Sequence, residues 1–272
     1  MSRLALFDIL HGAGKGSPEN QIEDDRIDLT SNQAQAGKEP ARRGGLGALP
    51  DEIIFRVAKQ IANALCYLHK QNILHCNLSS NVVVICSSAN ENYDSHPQQN
   101  AHDGGEAPAM QAGVNSDWRV KLADFTLSKH APPNSNPLQG PEPVQQCVDY
   151  SDLYKGDLNW SAPETLRDEP HTKASDVFSF GMILYEMITG EVPHGRRSAA
   201  QITGVVGYFG DKLKAPGRCG KELRHMVNNC LLFDADRRPT FLDIVKHLDK
   251  VEAQPRPGQR NPYIGNLRDF LS

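Results

Sequence analysis

A mainly α fold punctuated by short β hairpins is what this sequence predicts. Three observations carry it: apolar residues recur at helical steps in several long segments, β-branched runs are short, and polar tracts without any apolar period lie between them. The first helical segment opens with Asp51 and Glu52 after Pro50, and Ile54, Val57, Ile61, Leu65 and Leu68 mark one buried face. Ile73-Leu74, Val82 to Ile85 and Val120 to Leu122 are short enough for strands flanking loops. A second helix carries Val177, Phe180, Ile183, Leu184 and Met187 and ends at Gly190, a residue suited to a helix C-terminus. A third is expected near Glu222 to Leu231. The last starts from Thr240, an N-cap following Pro239, and runs through Phe241, Ile244, Val245, Leu248 and Val251.

Two tracts interrupt this pattern. Residues 12–50 and 87–117 are rich in Gly, Asn, Gln, Ser and charge and are expected as flexible insertions, and residues 253–272 as an irregular tail. Hydrophobic residues make up 39% of the 272 and charged residues 23%, enough for a sizeable core. A net charge of −4 argues against a nucleic-acid partner. No apolar run is long enough to span a membrane, and the opening MSRLALFDIL lacks the marks of a secretory signal, so a cytoplasmic protein is expected. The six cysteines are scattered without a C-x-x-C pair and read as reduced thiols rather than a zinc site. Asn77-Leu78-Ser79 and Asn159-Trp160-Ser161 fit the glycosylation pattern only by chance in such a chain.

Motifs spaced along residues 73–241 then converge. Ile73-Leu74-His75-Cys76-Asn77-Leu78-Ser79-Ser80-Asn81-Val82 resembles the catalytic loop H-R-D-L-x-x-x-N, and Asp124-Phe125-Thr126 sits where D-F-G belongs. Ala162-Pro163-Glu164 resembles the end of an activation segment. Asp176 to Gly181 resembles the start of a buried central helix, and Arg237-Arg238-Pro239 a closing Arg-Pro motif. Together these resemble the larger, C-terminal lobe of a protein kinase of the tyrosine-kinase-like group, over residues 1–252. Leu4 to His11 is similar to the segment just past the hinge. No Gly-rich loop or V-A-I-K strand can be placed before it, so the small lobe is expected to be absent; His11 to Ser17 lacks phosphate-loop spacing and reads as a linker.

The resemblance implies roles residue by residue. The family's catalytic-loop aspartate accepts the substrate's proton, and the loop asparagine and D-F-G aspartate hold magnesium against ATP. Here Asn77 stands at the base position, Ser79 at that of the loop lysine, and Cys76 at that of the arginine that pairs with a phosphorylated activation segment. An amide cannot act as a base, a loss of about 10²–10⁴ in rate. Asn81 falls four positions after Asn77, one short of the family spacing; with a deletion between them, Asn81 and Asp124 would be the candidate magnesium ligands. Asp124 is equally readable as a turn former. Asp157 replaces a threonine and is expected to repel a substrate phosphate, and Thr126 replaces a glycine, which would restrict the D-F-G turn. The architectural positions are kept: His75 packing against the turn, Glu164 with Arg238 as an ion bridge, and Asp176 on the loop backbone.

Three functions follow from this pattern. One is a catalytically impaired kinase domain that binds other signalling proteins as a scaffold. Another is an active serine/threonine or dual-type kinase whose small lobe lies outside this sequence; ATP and magnesium enter by resemblance alone, and whether the chain is an enzyme stays open. In the last, the cleft face around Phe7 and Ile9 is uncovered and serves homo- or hetero-oligomerisation.

Overall fold

The computed structural model describes residues 3–12, 47–87, 118–131 and 157–253, without 196 and 212. Both expected insertions lie mostly outside the described residues, as do the 132–156 stretch and the tail.

The chain begins with β1 (Arg3–Ala5) and a short α1 (Leu6–His11), followed by α2 (Asp51–Lys70). Asp51 and Glu52 lie in the first turn of α2 and His69 and Lys70 in its last, each sign matched to the helix dipole. Its apolar stripe buries Ile54, Val57, Ile61 and Leu65 completely or nearly so. Then come β2 (Ile73–Leu74), β3 (Val83–Ser87), β4 (Trp118–Leu122) and β5 (Lys129–His130). β3 pairs antiparallel with both β1 and β4, with Leu4 opposite Ile85 and Ile85 opposite Val120; β2 and β5 form a separate antiparallel pair, Ile73 opposite His130.

The rest is helical: a 3₁₀ turn (Leu158–Trp160), α3 (Pro163–Leu166), α4 (Lys173–Thr189), α5 (Ala199–Ile202) running into a π turn (Thr203–Tyr208), α6 (Lys221–Cys230), a 3₁₀ turn (Ala235–Arg237) and α7 (Phe241–Ala253). The N-cap of α7 is Thr240: its Oγ1 accepts from Asp243 N at 3.2 Å, while its own N–H donates to Asp243 Oδ2 at 3.2 Å.

Helix α4 is the centre of the packing. From Ser175 to Thr189 every residue except Tyr185 is buried, because α2 and α6 both lie against it. Gly181 permits the second approach: a Cβ there would stand 2.7 Å from Cys230 Cβ. At the far end Gly190 takes φ 68°, and a Cβ would strike Ala48 N at 2.4 Å, so this glycine both ends the helix and admits the chain leading into α2. Lys59 joins α2 to α7 through Asp249 at 2.7 Å and through Glu252.

The expectation of an uncovered apolar face at Phe7 and Ile9 is corrected here. Phe7 is 4% exposed and Ile9 6%, and the Phe7 ring meets Trp160 edge-on at 6.4 Å. An amphipathic segment this short hides its apolar side chains by docking on the core, where each contributes roughly 1.5–3 kcal/mol.

A buried ion pair closes the lower half. Arg238 Nη1 and Nη2 donate to Glu164 Oε1 and Oε2 at 2.7 and 2.8 Å, and the guanidinium also reaches the carbonyls of Leu232, Phe233 and Ala174. Burial pushes the Glu164 carboxyl up, and the Arg238 guanidinium more than offsets this, holding it below its ordinary value. Replacing Glu164 by alanine leaves a buried guanidinium without its counter-ion, so chemical denaturation should show a loss of about 3–5 kcal/mol. Gly181→Val should cost roughly 1–3 kcal/mol by forcing α4 and α6 apart, read the same way.

Candidate functional site

The site is a polar loop, residues 75–82, held between β2 and β3 and stretched over the buried helix α4. Two carboxylates on that helix hold it at both ends. Asp176 is fully buried; its Oδ2 accepts from His75 N at 2.9 Å and its Oδ1 from Cys76 N at 3.1 Å. The rings of His69 and His171 add bonds at 2.9 and 3.2 Å. These donors let Cys76 sit at φ 64°, a left-handed conformation costly for a residue with a Cβ. Burial pushes Asp176 up, but the bonds from His171 and His69 outweigh it and hold the carboxyl well below the usual range.

The second carboxylate is Glu186, also fully buried. It accepts from Ser80 Oγ (2.9 Å) in the loop, Trp160 Nε1 (2.9 Å) in the 3₁₀ turn and His11 Nε2 (2.8 Å) in α1. Burial raises its pKa despite these partners. Sequence reading passed over this hub, although a lone glutamate in the apolar run Ile183-Leu184-Tyr185-Glu186-Met187-Ile188 is a signal.

Along the loop, His75 is buried, bonded through Nε2 to Ala123 O at 3.1 Å and packed at a tilt of 48° against the Phe125 ring, centroids 5.1 Å apart; burial lowers its pKa, so the neutral ring donates to the carbonyl. Burial pushes the Cys76 thiol up to about 12, which makes it no nucleophile. Asn77 is shared between two neighbours: its Nδ2 donates to Asp124 Oδ2 at 3.4 Å and its Oδ1 accepts from Asp157 N at 3.2 Å. Ser79, wholly buried, donates to Asp157 Oδ2, and Asn81 Nδ2 donates to the same oxygen at 2.7 Å.

Asp124, just past β4, is exposed and takes φ 53°. Its Oδ1 accepts from Thr126 Oγ1 (2.6 Å) and Thr126 N (3.3 Å), the closed ring of an Asx turn. The Thr126 bond holds the Asp124 carboxyl below its ordinary value. The left-handed residue of this turn is Asp124, and Thr126 stabilises it. Asn81 is placed against Asp157 rather than against Asp124. The structure thus gathers Asn77, Ser79, Asn81, Asp124 and Asp157 into one hydrogen-bonded network, while Glu164 and Arg238 stand apart as the ion pair below. Among the described residues no group of three or more His, Cys, Asp or Glu is arranged to hold a metal. Asn159, half of one glycosylation match, is buried and bonded to Pro193 O at 2.6 Å.

The profile of the protein tyrosine and serine/threonine kinase family matches residues 46–248, which takes in the loop, the Asp124 turn, α4 and the Arg238 motif. The chain belongs to that family. Among curated relatives it is 26% identical over 211 residues to serine/threonine/tyrosine-protein kinase HT1 of Arabidopsis thaliana, covering 78% of this chain and 43% of that protein. It is 28% identical over 206 residues to human serine/threonine-protein kinase A-Raf, covering 73% and 27%. Probable serine/threonine-protein kinase SIS8 of Arabidopsis thaliana is 31% identical over 149 residues, 55% of this chain and 13% of that one. The chain therefore spans less than half the length of these relatives. This kinase-family chain contains, among its described residues, no helix long and apolar enough to cross a membrane.

The pH dependence of stability follows from the carboxylates. Glu164 and Asp176 have folded pKa values below their ordinary 4.5 and 3.8, so their stabilisation is complete above those values and is lost as pH falls below them. Glu186 acts in the opposite sense, its share fading as pH rises through a raised value. Urea titrations over about pH 3 to 6 should show stability falling on the acid side, and Asp176→Asn should flatten that limb while lowering stability at neutral pH by roughly 2–4 kcal/mol.

Proposed function

We propose that this chain is a kinase domain whose phosphoryl-transfer chemistry is impaired and which acts as a cytoplasmic binding module for other signalling proteins. The observation that carries the reading is the state of the loop. Asn77 offers an amide where the reaction needs a base, and the absence of a positioned base removes roughly 3–5 kcal/mol of transition-state stabilisation. Its neighbours Ser79 and Asn81 are both turned onto Asp157, so the charge nearest the acceptor position is negative. A carboxylate there opposes an incoming phosphate, and Ser79 stands where the family's loop lysine would.

Kinases of this family use ATP and magnesium. The donor set in this cleft argues against the metal. A divalent cation of this kind needs about six oxygens directed inward. Asn77 and Asn81 instead present amide hydrogens, and Asp124 is closed onto Thr126. The architecture that supports binding, by contrast, is intact: the Glu164–Arg238 pair and the Asp176 anchor keep the lobe's surface in place without any chemistry.

The second reading, an active serine/threonine or dual-type kinase, is favoured by the presence of Asp124 and Asn81 and by the activity named for the relatives. One assay separates the two. Purified chain incubated with ATP and MgCl₂ and a general protein acceptor should transfer no γ-phosphate beyond the level of its Asp124→Ala variant; transfer that Asp124→Ala abolishes would establish the active kinase.

A further inference from the structure

Away from the cleft, the segment leading into α6 and the end of that helix enclose a concavity of about 430 Å³, within the range of about 300–1,000 Å³ that small ligands occupy. Its walls include Leu213, Leu231 and Leu232, and Lys214, Arg224 and Asn228 complete the lining. Arg224 is held in place there. Its Nη2 donates to the carbonyls of Gly217 at 2.8 Å and Cys219 at 3.0 Å, while its Nε is buried and meets no acceptor. Both bonds end on neutral oxygens, so the guanidinium is fixed in orientation without its charge being compensated. Among the described residues neither Arg224 nor Lys214 forms an ion pair. The pocket adjoins an aromatic rim. Phe233 follows Leu232 in the chain, and its ring lies 3.2 Å from where a Cβ on Gly210 would stand. Tyr208 and Phe209, just before that glycine, are 64% and 84% exposed, the kind of apolar surface that marks a contact with another chain.

We infer that this pocket takes the C-terminal end of a partner polypeptide. The α-carboxylate lies on Arg224 and Lys214, the last apolar side chain packs against Leu213, Leu231 and Leu232, and the residues before it cross the aromatic rim. Charge decides the sign of the ligand: an immobilised, uncompensated guanidinium with an ammonium beside it selects an anion, and a carboxylate matches the planar guanidinium through paired hydrogen bonds. Geometry decides the source. A chain end carries its carboxylate and its side chain on one carbon, so a single residue meets the cations and the apolar walls together. An internal Asp or Glu brings the charge alone, because its neighbours in an extended segment point to the opposite face. The inference gives the binding module proposed above one docking site and one class of partner, and rests on that reading for its purpose; no group of the cleft takes part in it.

The test uses the whole chain and four probes: acetylated phenylalanyl-leucine with a free carboxyl end, the same dipeptide as its C-terminal amide, acetylated glutamyl-leucine amide, whose acid is on a side chain, and acetate. Binding is followed by isothermal titration and by amide spectra of the isotope-labelled chain, without ATP or metal, so a failure here leaves the impaired-kinase reading to the transfer assay, and an active kinase could still show this site. The free acid should bind saturably and move the resonances of residues 213–215 and 224–232. The other three probes should bind at least about tenfold more weakly, the loss expected when a charged hydrogen bond or the apolar contact is missing. Arg224→Gln should weaken the free acid by about tenfold or more. Lys214→Glu, a reversal at an exposed side chain that leaves the Gly217 and Cys219 carbonyls bonded, should weaken it about fivefold and decides the matter where Arg224→Gln does not fold. Each of these results would overturn the proposal: no saturable binding of the free acid, shifts confined to other segments, equal binding of the amide or of acetate, or a Lys214→Glu chain that binds like the native one. Equal binding of glutamyl-leucine amide would overturn it in favour of an internal acidic residue.

Discussion

Everything in this lobe hangs from the two buried carboxylates of one central helix. Asp176 and Glu186 sit on α4, and between them they accept bonds from the loop backbone at His75 and Cys76, the loop side chain of Ser80, the indole of Trp160 and the rings of His11, His69 and His171. Isolated charges in an apolar helix would be prohibitive. Surrounded by donors from five other segments, they become the points at which those segments are fixed to one another. The apolar face of α4 supplies the driving force for collapse; the carboxylates decide where the loop comes to rest.

The frame beneath the loop and the polar groups on it are separate sets of residues. The groups that position the loop, Asp176 and Glu186, lie beneath it, buried and multiply bonded. The groups that would act on a substrate lie above, at Asn77, Ser79 and Asn81, and their bonds are to each other's neighbours rather than to a basic group. Asp157 joins the two halves. Its backbone N–H and its carboxylate both reach the loop, so the start of the segment leading to Trp160 is tied to Asn77, Ser79 and Asn81.

Much of the fold was legible beforehand. The spacing of Ile54, Val57, Ile61 and Leu65 marks α2 because a buried face must recur with the helical period, and Thr240 and Gly190 mark helix ends because their side chain, or lack of one, satisfies or permits a terminus. The candidate site was legible in part. The order of motifs located the loop, and a shortened loop with an amide for a carboxylate pointed to altered chemistry. Which partner each side chain would choose was not legible. Asn81 is drawn to Asp157, 76 positions away in sequence, and Thr126 to Asp124, outcomes that depend on where backbone segments pass rather than on residue type.

Sequence by itself therefore determined the helical period, the helix ends, three of the strands and the family, since each is written in local spacing or in an ordered set of motifs; β1 and β5 it did not mark. Tertiary structure alone decided that Phe7 and Ile9 are covered, that Glu186 gathers three segments, and that the polar residues of the cleft satisfy one another. The physical reason is that burial and hydrogen-bond pairing belong to groups distant in the chain, and only the folded backbone brings a donor within 3 Å of its acceptor.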